Sequence, residues 1–170
     1  MNAEELKNLQ TPLKENYRID PKAGFVTLKA HGKVGDNVTC KIETGKALVE
    51  AGLHPATGGS GFQACSGDML LEALVACAGV TLNAVATATE IDISGAKIMA
   101  EGDIDFRGTL GISKDVPVGF KEIRLIFVFP NHITAEKTET LKKLTERYCV
   151  VYQTLSNGVA VKTNFESQKH

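Results

Sequence analysis

Residues 64–89 read ACSGDMLLEALVACAGVTLNAVATAT. Leu71, Leu74, Val75, Ala78, Leu82 and Val85 recur there at spacings of three and four, the period that gathers side chains on one face of a helix. The rest of the circumference is also apolar or small, at Leu70, Ala73, Ala76, Val80, Ala84 and Ala86, and Glu72 is the only charge between Asp68 and Glu90. A helix apolar nearly all round belongs in the middle of a fold. Ala76, Ala78, Gly79 and Ala84 leave room for another backbone, so packing is expected on both sides, with Cys77 at the midpoint. Ser66 is the expected N-cap, and Asp68 suits the positive end of the helix dipole. Thr87, Thr89 and Asp92 weaken the helix, and Ser94 with Gly95 closes it.

The chain has 170 residues, 43% of them hydrophobic, enough for one sizeable core, so residues 1–170 are expected to form a single domain. Leu6, Leu9 and Leu13 at helical spacing make residues 1–16 an N-terminal helical arm, with Pro12 near its end. Nineteen basic and 20 acidic residues, interspersed, give a net charge of -1 and no field to hold nucleic acid or an anionic bilayer. No apolar run reaches the roughly 20 residues of a membrane span, and MNAEELKNLQ lacks the basic head and apolar run of a secretory signal. The expectation is a cytoplasmic protein without nucleic-acid or membrane partners. Cys40, Cys65, Cys77 and Cys149 fall in no CxxC or zinc spacing, and the histidines at 31, 54, 132 and 170 are scattered, so neither metal nor cofactor is expected.

Alternation predicts strands at residues 25–30 and 37–43, joined by a turn through 32–36, with Cys40 on the second. A short strand near 47–50, a glycine-rich loop at 52–61, and long strands at 96–109 and 120–130 follow. Thr134 is the expected cap of a second helix, with Glu136 in its first turn. Leu141, Leu144, Tyr148, Val151 and Leu155 form an apolar seam along it, Cys149 lies at the edge of that seam, and Asn157 with Gly158 ends it. A last strand is predicted at 159–163. The order is that of an α+β fold with an antiparallel sheet wrapped on helices.

A cysteine attacks a peroxide as its thiolate, and a second thiol can then resolve the sulfenic acid as a disulfide, whereas most free cysteines simply pack. Two cysteines here stand on helices. GDMLLEALVACAGVTL resembles the central-helix motif of the OsmC/Ohr family, the osmotically induced and organic hydroperoxide resistance proteins, and ERYCVVYQTLSNGVAV resembles that family's second cysteine helix. Gly58 and Gly59 resemble its glycine-rich approach, and with the matching element order the likeness covers about residues 17–164. The resemblance implies an OsmC-like fold, antiparallel sheets wrapped on two central helices in an intertwined homodimer. It also implies a thiol peroxidase with an antioxidant, stress-response role that reduces organic hydroperoxides to alcohols. Cys77 would be the peroxidatic and Cys149 the resolving cysteine, with an external dithiol as reductant.

Further site residues follow from the same resemblance. Arg18 matches the family's N-terminal arginine, which would lower the Cys77 pKa and bind the peroxide; Arg107 and Arg124 are fallbacks. Asp68 stands where the family usually has Glu, nine residues before Cys77, roughly 13.5 Å and half a turn away on an ideal helix. It would therefore act through an arginine or across the dimer. Val150 replaces the proline usual after the second cysteine, so the helix is expected to continue smoothly through Cys149. His54 is a candidate proton donor, and Cys65 and Cys40 are expected to pack. The competing expectation is a ligand-binding or redox-sensing OsmC-like dimer whose thiols do not turn over.

Overall fold

The computed structural model describes residues 2–20, 23, 27, 31–34, 40–43, 48–129 and 133–167, with the backbone alone at 31–34, 40–43 and 48. Its centre is the helix α2 (Ser66–Ala88), on the segment where the apolar period predicts one. The helix begins one residue before expectation: Cys65, not Ser66, is the N-cap, and it makes no side-chain cap hydrogen bond. Leu74, Ala78, Leu82, Val85 and Ala86 are buried along it. Leu82, Val85 and Ala86 form the core with Leu141, against Ile91, Ile93, Ile98, Phe127, Phe129 and Leu144.

Two sheets flank this helix. β1 (His31–Val34), β2 (Cys40–Glu43) and β3 (Leu48–Gly52) run antiparallel in that order, and β4 (Ala64–Cys65) adds to β3 in parallel, a pairing the sequence does not announce. The predicted first hairpin is displaced: β1 runs through His31–Val34, where a turn was expected to begin. Of its predicted strand 25–30, only Thr27 lies among the described residues, outside regular structure. Residues 35 and 36 of the predicted turn, the side chain of Cys40 and His132 lie outside the described residues as well.

The second sheet pairs β5 (Lys97–Ile104) with β6 (Phe120–Val128), antiparallel, with an irregularity at Asp103 and Ile104. Strand alternation turns Ile98, Ala100, Gly102 and Ile104 toward α2. The fit is close enough that a Cβ on Gly102 would run into the Phe120 ring, and Leu71 of α2 closes over the same spot. β5 stops five residues before the predicted end. Asp105 accepts the N–H of Arg107 and starts the short helix α3 (Phe106–Thr109) instead.

The N-terminal arm is the helix α1 (Ala3–Ile19), longer than predicted, started by a capping box between Asn2 and Glu5 and running on past Pro12. It packs on α2 and buries no residue fully. Thr134 caps α4 (Ala135–Tyr148) as predicted, and α5 (Val150–Asn157) follows and ends at Gly158. The expected last strand at 159–163 has no regular structure, and Val159, Val161 and Phe165 are exposed. Alternation marks a face, but a strand exists only where a neighbour completes its ladder.

Although Glu72 interrupts its apolar run, α2 as a whole is long and apolar enough by length and composition to span a membrane. Its place against α4, α5 and β5 is that of a central core helix.

One polar group in this core lacks a partner. Thr145 is 1% exposed, and among the described residues nothing bonds its Oγ1. An unpaired buried hydroxyl is destabilising, and valine has nearly the same shape, so Thr145→Val is expected to raise stability by about 1 kcal/mol. Urea unfolding should show this as a higher midpoint with an unchanged slope.

Candidate active site

Leu141, Thr145 and Cys149 follow one another at spacings of four on α4 and are the fully buried residues of its inner face, against α2. Cys149, predicted at the edge of the apolar seam, is 0% exposed, while Tyr148 of that seam is 58% exposed. The helix also does not run smoothly through Cys149, as it was expected to. That residue adopts φ -75°, ψ 110°, an extended conformation that ends α4 and serves as N-cap of α5. The Cys149 N–H still closes on Thr145 O at 2.9 Å, and the next turn restarts with Gln153 N–H on Cys149 O at 2.9 Å.

A restarted helix has unused N–H groups in its first turn, and they carry the positive end of its dipole. Here they lie near two sulfurs. Burial is the largest single influence on the half-buried Cys77 and opposes its ionisation. The nearby N–H of Val151, the Cys149 thiol and the N–H of Val150 outweigh it together, with the smallest share from the Thr81 hydroxyl, which donates to Cys77 O at 2.8 Å, and the Cys77 pKa falls below that of an ordinary thiol. Cys149 is pushed the other way: burial raises its pKa, the N–H of Tyr152 opposes, and the neighbouring Cys77 adds to the rise. The pair therefore divides into a thiol that ionises readily and a buried one that keeps its proton. Both are free thiols.

The remaining sequence candidates lie elsewhere in the chain. Arg18 is exposed in the last turn of α1. Asp68 is exposed in the first turn of α2, where it lines a cavity of about 320 Å³ with His54, Cys65 and Phe106. His54 stacks on Phe106 at 4.9 Å, and its Nδ1 accepts the Ala56 N–H, so the structure groups it with Cys65 and not with Cys77. Arg107 is tied to Asp105, and Arg124 to Glu101 and Asp103, with Nη2 3.0 Å from Asp103 Oδ1. Glu101 and Asp103 lie on the face of β5 turned away from α2. Among the described residues, no three His, Cys, Asp or Glu side chains gather as a metal site.

The donors at Val150 and Val151 and the hydroxyl of Thr81 were not anticipated. The available signal was a pair of β-branched residues straight after a cysteine, a weak point for a helix. A cleft of about 480 Å³ between β6 and the helices α4 and α5 is lined on one side by Leu74, Phe120, Ile123, Phe127, Tyr152 and Leu155, and on the other by Lys121, Glu122, Lys142, Glu146 and Ser156. Leu74 is one turn before Cys77, and Tyr152 one turn after Cys149.

Fold and site together define an α+β protein with a thiol pair held between a central helix and a broken one. The OsmC-like protein family matches residues 58–164, and the chain belongs to it. Solved structures agree on the fold. An OsmC-like protein from Mycoplasma pneumoniae superposes with a TM-score of 0.65 at 17% identity, over 78% of this chain and 89% of that one. An organic hydroperoxide resistance protein OsmC from Legionella pneumophila gives 0.62 at 17%, over 82% and 96%. An organic hydroperoxide resistance protein from Elizabethkingia anophelis gives 0.62 at 21%, over 79% and 90%. No curated protein matches the chain.

Proposed function

We propose that the protein is a cysteine-based peroxidase that reduces organic hydroperoxides to alcohols. The observation that carries the reading is the placement of Cys77 against both Cys149 and the first N–H groups of α5. The Cys77 thiolate attacks one peroxide oxygen, the O–O bond breaks, and the alkoxide leaves as the alcohol after taking a proton. The oxygen stays on Cys77 as a sulfenic acid. Cys149 attacks that sulfur, water departs, and a Cys77–Cys149 disulfide forms. An external dithiol returns both thiols, itself becoming a disulfide. In this reading the task expected of Arg18 falls to the N–H groups of Val150 and Val151. The apolar side of the neighbouring cleft, at Leu74, Phe120, Phe127 and Leu155, suits the hydrocarbon body of an organic peroxide, and the charges of Lys121, Glu122, Lys142 and Glu146 line its other side.

The working form is proposed to be a homodimer. Ala73, Ala76, Val80 and Asn83 recur at threes and fours along an exposed face of α2, with Val80 74% exposed, and among the described residues nothing covers that stripe. A second copy would bury it.

The test is a single equivalent of cumene hydroperoxide added to the reduced protein, followed by acid quench and peptide mapping. A rapid Cys77–Cys149 disulfide is expected. Thiols left unreacted at excess peroxide would reject the enzyme in favour of a binding dimer.

A further inference from the structure

The break between α4 and α5 takes from the Glu146 carbonyl the partner that a continuous helix would give it, the Val150 N–H four residues on. A side chain fills the place: Nε2 of Gln153 donates to Glu146 O at 2.7 Å, across seven residues of sequence. The other end of that amide is fixed too, since Oε1 of Gln153 accepts from Asn157 Nδ2 at 2.8 Å. The backbone N–H of Gln153 is meanwhile the bond that restarts the helix on Cys149 O, at 2.9 Å. One residue thus bridges both sides of the break.

We infer that Gln153 is a positioning residue, a latch whose amide occupies the Glu146 carbonyl so that the N–H groups of Val150 and Val151 stay turned toward Cys77. The physical competition is simple. Glu146 O needs a donor, and the Val150 N–H can serve either that oxygen or the Cys77 sulfur. With the latch in place the oxygen is satisfied and the N–H is left to the thiolate. Without it, one further turn of helix re-forms at the expense of Cys77. The inference deepens the peroxidase reading, on which its purpose rests.

The test is the pH dependence of iodoacetamide alkylation, followed on the Cys77 peptide by mass spectrometry in the full-length protein. Gln153→Met keeps the length and removes the donor, and is expected to move the Cys77 midpoint up by about one pH unit, roughly tenfold less thiolate at neutral pH. Val150→Pro has no N–H to return to Glu146 O, and the extended Cys149 already suits a following proline. Alone it should shift the midpoint by less, through loss of one donor. Adding Gln153→Met to Val150→Pro should then change nothing further, because the turn can no longer re-form.

An unshifted midpoint in Gln153→Met overturns the latch. So do shifts that simply add in the double variant, which would mean that Gln153 only packs. If Gln153→Met loosens the chain enough for Cys149 to be alkylated, Gln153→Asn, an amide too short to reach Glu146 O, takes its place and is read the same way. A parent protein that forms no disulfide with peroxide refutes the peroxidase, and these midpoints then still decide the latch.

Discussion

Cys77→Ser should lose peroxide consumption by at least roughly a thousandfold, while the protein keeps its fold and assembly. The sulfur at this position is ionised by its surroundings. The N–H groups of Val151 and Val150, the Cys149 thiol and the Thr81 hydroxyl overcome the burial that would keep it protonated. A serine hydroxyl starts from so high a pKa that the same donors leave it neutral, and a neutral oxygen does not open an O–O bond. The pH profile of the parent follows with a definite sign. Because the Cys77 pKa is lowered, the single-turnover rate should climb with pH through a value below the ordinary thiol pKa and then stay level. Cys149→Ser separates the steps: it should retain the first turnover, accumulate a sulfenic acid on Cys77 that dimedone traps, and fail to recycle through a disulfide. Residual peroxide consumption by a xylenol orange assay is the measurement. If Cys77→Ser consumes cumene hydroperoxide at the parent rate, the nucleophile has been misassigned.

Parts of this arrangement could be read in the sequence because their cause is local. The 23 residues of α2 repeat one apolar period, β5 alternates over its eight residues, and Thr134 sits where its side chain accepts the Lys137 N–H. Elements that depend on a competition between donors were not readable in the same way. The break at Cys149 involves neither proline nor glycine at 149 or 150, and the Glu146 carbonyl it frees is taken up by the Gln153 side chain. The strand ending at Ile104 yields to a helical turn because one carboxylate, Asp105, binds the Arg107 N–H and guanidinium. Residues 159–163 alternate as a strand does, and alternation says nothing about whether a neighbouring edge is present. The cysteine pair was found through resemblance, while the groups that tune it are backbone amides, which carry no residue identity to read.

Val80→Asp should convert a dimer into single chains. α2 is apolar enough to pass for a membrane span, yet only 28% of its most apolar stretch is buried within one copy. In the proposed dimer this exposed apolar surface is covered by a second α2 laid across Ala73, Ala76 and Val80, whose small side chains let the backbones come close. A carboxylate at Val80 would have to enter that contact unpaired, at a cost of about 3–5 kcal/mol, which weakens dimerisation by roughly a hundredfold to a few thousandfold. Sedimentation velocity at micromolar concentration should report two chains for the parent and one for the variant. The site should register the change as well, because Cys77 lies three residues from Val80 and is half-buried in a single copy. Dissociation leaves it open to water and to a second peroxide molecule, so the Val80→Asp protein should carry more sulfinic acid at Cys77 after peroxide than the parent does. A parent that sediments as a single chain would mean that the exposed stripe on α2 has some other cover, and would remove the second subunit from the proposed mechanism.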